Sequence, residues 1–284
     1  MPELPEVETV RRHLAEHLTQ AELTSAEFGR SDLRYPMPVA AIQAMVGCRL
    51  VTVARRSKYL VIDCVPAAGD ATTVLIHLGM SGRLFIDDVA PLQWRKHEHW
   101  RWTLQTAQRV RWLRYVDARR FGMLAIAPAG RDHPLLARLG PEPLGAAFSA
   151  AHLHAGLARR SIAVKVAIMD AALVVGVGNI YASESCFRAG IAPARAANQV
   201  TVDQSARLWQ AIVAVLTDAI AAGGSTLRDF VGGDESPGYF QQQLGVYGRA
   251  GMACQRCARF GTDSAVVRAV LGQRATFWCP ACQT

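Results

Sequence analysis

Val7, Val10, Leu14 and Leu18 recur at helical spacing, with Pro5 at a first-turn position and Glu6 and Glu8 behind it, so the chain is predicted to begin with a helix. From about residue 22 to residue 126 the period shortens. The runs 49–61, 73–86, 99–104 and 110–116, often alternating, predict strands of an antiparallel sandwich. A Pro- and Gly-marked stretch, 127–145, precedes the return of helical periodicity. There Thr201 and Gln204 match a capping box ahead of a helix with an apolar face of Leu208, Ile212, Val215 and Leu216, which Gly223 and Gly224 end. Residues 225–239, rich in glycine and polar side chains, read as a mobile loop or as a plain connector. The expected architecture is α+β: a sandwich domain over 1–130, a linker over 131–150, a helical domain over 151–243 and a C-terminal module over 244–284.

At 284 residues and 51% hydrophobic content the chain can bury one large core or two ordinary ones, which argues against disorder. Thirty-one basic residues against 23 acidic ones give a net charge of +8, which favours a polyanionic partner, nucleic acid first. Charge alone leaves open a basic protein without such a partner. No run reaches the roughly 18 apolar residues of a membrane span. The Met-Pro-Glu opening lacks the basic and then apolar pattern of an export signal, so a cytoplasmic, reducing setting is expected. In that setting seven cysteines are not a disulfide framework. Cys48, Cys64 and Cys186 are scattered, as small core residues would be.

The other four fall in pairs. Cys254 with Cys257, and Cys279 with Cys282, are C-x2-C turns separated by 21 residues, and each can present two thiolates to a single tetrahedral ion. Four cysteines leave no open coordination position, so the expected cofactor is one structural Zn2+, with no organic cofactor. Arg249, Arg256, Arg259, Arg268 and Arg274 surround the pairs, as they would on a hairpin laid across phosphates.

The start Pro2, Glu3, Leu4, Pro5, Glu6 is unremarkable as a helix opening. Set beside Arg56-Ser57-Lys58, His77-Leu78-Gly79-Met80, Asp117-Ala118-Arg119-Arg120-Phe121-Gly122, Gly176-Val177-Gly178-Asn179 and Val246-Tyr247-Gly248-Arg249, it closely resembles the bacterial formamidopyrimidine-DNA glycosylase family. The resemblance covers nearly the whole chain in one order. It implies a bifunctional lyase that excises oxidised purines, such as 8-oxoguanine and formamidopyrimidines, from double-stranded DNA, acting as a monomer in the bacterial cytoplasm and nucleoid. It further implies a helix-two-turns-helix element in the helical domain and a zinc-finger hairpin at the end.

By the same resemblance, Pro2 is the nucleophile once Met1 is removed. Its secondary α-amine titrates near pH 8, so an appreciable fraction is neutral at physiological pH. Glu3 is implied to protonate the opening deoxyribose, and Lys58 and Arg274 to assist the first and second eliminations. Without the resemblance, Lys58 in an alternating strand reads as a solvated charge and Arg274 as a simple phosphate contact. Met80, Arg119 and Phe121 are implied to fill the hole that an extruded nucleotide leaves, although pattern alone would make Met80 and Phe121 sandwich core. His77, His97, Arg160, Lys165 and Asn179 align with further DNA contacts. Asn179 also stands where the helix over 180–189 needs its N-cap. Ser225, Thr226, Leu227, Arg228, Asp229 and Phe230 correspond to the lid that reads the lesion.

Two departures from the family are visible: the cysteine pairs lie farther apart than usual, and Ala258 stands where glycine commonly follows the second cysteine. Two other readings remain at this point. One is an endonuclease VIII-like enzyme for oxidised pyrimidines, and the other a zinc-finger DNA-binding protein without catalysis.

Overall fold

The computed structural model describes residues 2–128, 133–224 and 240–284. They divide into two compact units: residues up to Ala137 with Gly223 and Gly224, and Arg138–Ala222 with Phe240–Thr284. The segment Ser225, Thr226, Leu227, Arg228, Asp229 and Phe230 lies outside the described residues.

The first unit opens with α1 (Leu4–Leu18), then β1 (Glu22–Phe28) and the short α2 (Val39–Gln43). Seven strands follow: β2 (Arg49–Arg56), β3 (Tyr59–Val65), β4 (Thr72–His77), β5 (Arg83–Asp87), β6 (Glu98–Gln105), β7 (Val110–Val116) and β8 (Met123–Pro128). They form one antiparallel sheet in the order β5-β7-β6-β1-β2-β3-β4-β8. Its two four-stranded halves meet at β1 and β2, which share a single register pair, Glu22 with Arg49. The sheet folds there into the expected sandwich. Val7, Val10, Leu14 and Leu18 of α1 join Trp100, Trp102 and Leu113 of one half and Leu50, Ile62 and Ile76 of the other in a single apolar core.

Two expected strands prove to be hairpins or longer connections. The run 49–61 is broken by a turn at Ser57 and Lys58, and the run 73–86 by the segment between β4 and β5. Ser57 adopts φ +57, a conformation that pattern does not announce in a non-glycine residue. These breaks put Lys58 and Met80 on connections.

A short α3 (Pro134–Ala137) belongs to the first unit. The second unit is mainly helical: α4 (Ala150–Ala158), α5 (Val164–Ala167), α6 (Asn179–Ala189) and α7 (Val202–Ala221), then α8 (Gln255–Arg259) and a hairpin of β9 (Val267–Leu271) and β10 (Arg274–Trp278). Thr201 and Gln204 cap α7 reciprocally at 3.0 and 3.2 Å, and Leu208, Ile212, Val215 and Leu216 are buried along it. Gly190 closes α6 at φ +69, but the N-cap of α6 is Gly178, not Asn179. The Asn179 side chain serves contacts elsewhere, described below.

Candidate functional site

Pro2 is buried and lies ahead of α1, and Glu3, also buried, is the N-cap of that helix. The Glu3 N–H donates to Glu6 Oε2 at 2.8 Å, and the Val7 N–H to the Glu3 carbonyl at 3.1 Å. The first turn thus fixes the backbone that carries the terminal proline. Gly224 packs on the same turn at φ +83, where an added Cβ would stand 3.1 Å from Glu6 Oε1. Glu8 gathers Arg11 at 2.9 Å and Arg12 and Arg55 at 3.1 Å. Burial raises the Glu8 pKa, yet these guanidiniums outweigh it and hold the carboxyl below its ordinary range.

Lys58 follows Ser57 in the β2–β3 turn and is half-buried. His77 ends β4 directly across from Tyr59, with ring centroids 5.0 Å apart. Its Nδ1 accepts the Gly79 N–H at 3.0 Å, which assigns the ring proton to Nε2. Burial first, then the charges of Lys58 and Arg34, pushes the His77 pKa down to about 4. At neutral pH this imidazole is an uncharged donor. Arg34, whose N–H donates to the Gly122 carbonyl at 3.3 Å, is a cation of this cluster that no sequence signal singled out.

Met80 is half-buried and Phe121 is 44% exposed, so neither is sandwich core. The Arg119 guanidinium lies 4.9 Å from the Phe121 ring centroid. Arg119 and Phe121 are held by Asp117, fully buried, whose part no sequence pattern marks. Its carboxylate accepts the Gly122 N–H at 2.8 Å, the Arg119 N–H at 3.2 Å, the Tyr115 hydroxyl at 3.2 Å and the Ser81 hydroxyl. Gly79, at φ +63, presses on the same loop: a Cβ there would come within 2.3 Å of the Phe121 carbonyl carbon.

His97 is exposed and left-handed at φ +66, and its carbonyl accepts the Asp117 N–H at 2.9 Å. Beneath it, Glu98 accepts the Arg95 N–H at 2.7 Å and Arg101 Nε at 3.0 Å, and is paired with buried Arg114. Burial raises the Glu98 pKa, but Arg114 and its other donors bring the carboxyl below the ordinary range. The loop of Arg119 and Phe121 and the adjoining His97 therefore stand on two buried carboxylates.

In the second unit Lys165 has no exposed surface. Its ammonium donates to Thr276 Oγ1 at 2.8 Å, to the Ala275 carbonyl at 3.3 Å and to Asn179 Oδ1. Asn179 Nδ2 donates to the same Ala275 carbonyl at 2.9 Å and to the Tyr247 hydroxyl at 3.4 Å. Lys165, expected among the surface contacts, is thus a tie from α5 to α6 and β10. Arg160 is half-buried and committed to the Gly156 carbonyl at 2.7 Å and Asp170 at 2.8 Å. Arg274 is exposed and opens β10, opposite Leu271 across a turn of Gly272 and Gln273 at φ +54 and +61. Two left-handed residues are what a type I′ hairpin needs.

Glu184, buried on α6, accepts the N–H groups of Gly245, Val246 and Tyr247 at 2.9, 3.0 and 2.8 Å. The four sulfurs of Cys254, Cys257, Cys279 and Cys282 all lie within 4.8 Å of one another. Thiolates about 2.3 Å from one tetrahedral ion are spaced about 3.8 Å apart. The Cys254–Cys282 and Cys257–Cys279 separations, 3.8 and 3.5 Å, fit that geometry, so the cluster can hold a metal ion.

A model of the formamidopyrimidine-DNA glycosylase N-terminal domain matches residues 1–124, and one of the formamidopyrimidine-DNA glycosylase H2TH domain matches residues 139–231. The formamidopyrimidine-DNA glycosylases of Magnetococcus marinus and Stenotrophomonas maltophilia are each 48% identical to this chain, over 289 and 284 residues, spanning 100% of it and 99% and 100% of themselves. Among solved structures, the MutM (Fpg) protein from Thermus thermophilus is 36% identical with a TM-score of 0.84, covering 99% of this chain and 98% of that one. The complex between the Lactococcus lactis Fpg and abasic-site DNA gives 28% identity and a TM-score of 0.87, with 99% of each chain covered. With both domain types in order and near-half identity along its full length, the chain belongs to the formamidopyrimidine-DNA glycosylase family.

Proposed function

We propose that this chain is a bifunctional DNA glycosylase and AP lyase of base excision repair, removing 8-oxoguanine and formamidopyrimidines from duplex DNA. The observation that carries the reading is a buried Pro2 standing just ahead of α1 in a member of this family. With Met1 removed, the Pro2 nitrogen is a secondary amine. Its lone pair attacks the deoxyribose C1′, the bond from C1′ to the base breaks, and the base leaves with a proton. Glu3, beside the nucleophile, is the acid for the opening sugar oxygen. The positive end of α1 lowers the amine's proton affinity, while Glu3 and Glu6 raise it.

The resulting iminium acidifies the C2′ hydrogens. Loss of one expels the 3′ phosphate with Lys58 assisting, and a second elimination assisted by Arg274 expels the 5′ phosphate. Met80 and Phe121 replace the stacking lost when the nucleotide is extruded, and Arg119 hydrogen-bonds the orphaned base. His77, through its neutral Nε2–H, and His97 meet backbone phosphates. One Zn2+ held by the four cysteines fixes the hairpin that carries Arg274, and with four thiolate ligands its part is structural. The enzyme works as a monomer on the chromosome, in the cytoplasm.

Borohydride trapping on a duplex with 8-oxoguanine opposite cytosine tests this, because the iminium reduces to a stable adduct. Wild type is expected to trap, while Pro2→Thr binds the duplex and forms no adduct. Equal trapping by the variant would reject Pro2 as nucleophile, and preferential cleavage at thymine glycol would reject the purine assignment.

A further inference from the structure

Beside the loop that carries Arg119, the first unit holds a cavity of about 280 Å³. Arg83, Arg95 and Lys96 line it together with Ser81, Phe85 and Ala118, and none of the described residues lining it is acidic. Arg95 is braced 4.7 Å over the Phe85 ring and 3.3 Å from Asp87. The cavity shares Ser81 with one neighbouring contact and adjoins the other in sequence. Ser81 also accepts the Arg119 N–H at 3.1 Å, and Lys96 immediately precedes the left-handed His97.

We infer that this cavity is a phosphate subsite that grips one backbone phosphodiester of the duplex flanking the extruded nucleotide. Three cations around a concave opening concentrate positive potential, and an apolar floor keeps the bound oxyanion from full hydration. A phosphate seated here is registered against Ser81 and His97, and hence against Arg119 and Phe121. The inference rests on the duplex being this chain's partner, and it adds a backbone contact outside the residues that perform the chemistry.

The test is the salt dependence of binding to a lesion-free duplex, for wild type, Lys96→Ala and Lys96→Arg. Each phosphate contact adds about 0.9 to the slope of log affinity against log salt, so Lys96→Ala should flatten it by roughly that amount. From 50 to 200 mM salt this is about a 3.5-fold smaller loss of affinity for the variant. Lys96→Arg should restore the slope, and Arg109→Ala, which removes an exposed cation paired with Asp88, should leave it unchanged.

Scanning the duplex with single neutral methylphosphonates then locates the contact. One position should weaken wild type and leave Lys96→Ala indifferent. If every position affects both proteins equally, or if inorganic pyrophosphate protects Lys96 from acylation while the duplex does not, the cavity is not a backbone site. Failure of borohydride trapping would remove the proposed chemistry and leave this binding result intact, so the two claims fail separately.

Discussion

Replacing Asp117 by Asn keeps the shape of the side chain and removes one acceptor face. The two carboxylate oxygens receive two backbone donors, Gly122 N–H at 2.8 Å and Arg119 N–H at 3.2 Å, on different oxygens. Whichever way the new amide turns, its NH2 faces one of them. The hydroxyls of Ser81 and Tyr115 can rotate away from such a clash, but a backbone N–H cannot. With the amide oxygen toward Gly122, the Arg119 N–H loses the carboxylate but keeps Ser81 Oγ at 3.1 Å, so the cost is one charge-assisted bond and the charge assistance of the others, roughly 2 kcal/mol. For a unit of this size that corresponds to a melting temperature lower by about 4–8 °C.

The loop should also lose its hold on Arg119 and Phe121. With 2-aminopurine opposite an abasic-site analogue, fluorescence reports whether protein fills the vacated stack, and Asp117→Asn should give a signal distinct from wild type. A melting temperature within about 1 °C of wild type, with the same fluorescence, would show that the carboxylate does not hold this loop.

His77 supplies a pH prediction. Because burial and the neighbouring cations lower its pKa to about 4 from 6.5, the unfolded chain takes up this proton first, and stability present above about pH 6.5 is lost as the pH falls toward 4. His77→Gln should therefore show a shallower fall in melting temperature between pH 7 and 5 than wild type, and parallel curves would unlink the ring from acid sensitivity. Cys279→Ser should release the metal and weaken duplex binding while the sandwich keeps its near-ultraviolet circular dichroism; full metal content by mass spectrometry would contradict the ligand assignment. Lys165→Met deprives Asn179 and Thr276 of their buried cation, a loss of about 3 kcal/mol. It should speed amide exchange in β9 and β10 and, by displacing Arg274, leave the product of the first elimination uncleaved at its 5′ side. Unchanged exchange would refute the tie.

The elements built on one apolar stripe were plain in the sequence. Val7 to Leu18 of α1 and Leu208 to Leu216 of α7 are buried as their spacing predicts, since a single helix decides which of its own residues face inward. The cysteine pairs were equally plain, because each turn is local. Positions set by tertiary partners were not. Ser57, His97, Arg120 and Gln273 all have positive φ without being glycine, and the cause is what surrounds them rather than what they are. Lys58 therefore read as a strand residue.

Arg101 and Arg114 face each other across β6 and β7, a pairing made tolerable inside the fold by Glu98, which bonds both, and by Asp87, which meets Arg114 at 2.8 Å. Nothing in a linear pattern announces that arrangement. Asp117 lies within a recognisable motif, yet its four donors come from residues spread between 81 and 122, an arrangement that exists only in three dimensions.

Glu184 gives the cysteine module a second fastening. Three consecutive amides closing on one carboxylate make a clasp that needs no ion and forms from α6 and the chain just upstream of Cys254. Chelation should then loosen the cysteine turns while the chain at Gly245, Val246 and Tyr247 stays moored to the helix. Reloading would begin from a tethered strand instead of a free coil, which favours rapid and reversible repair of the module itself.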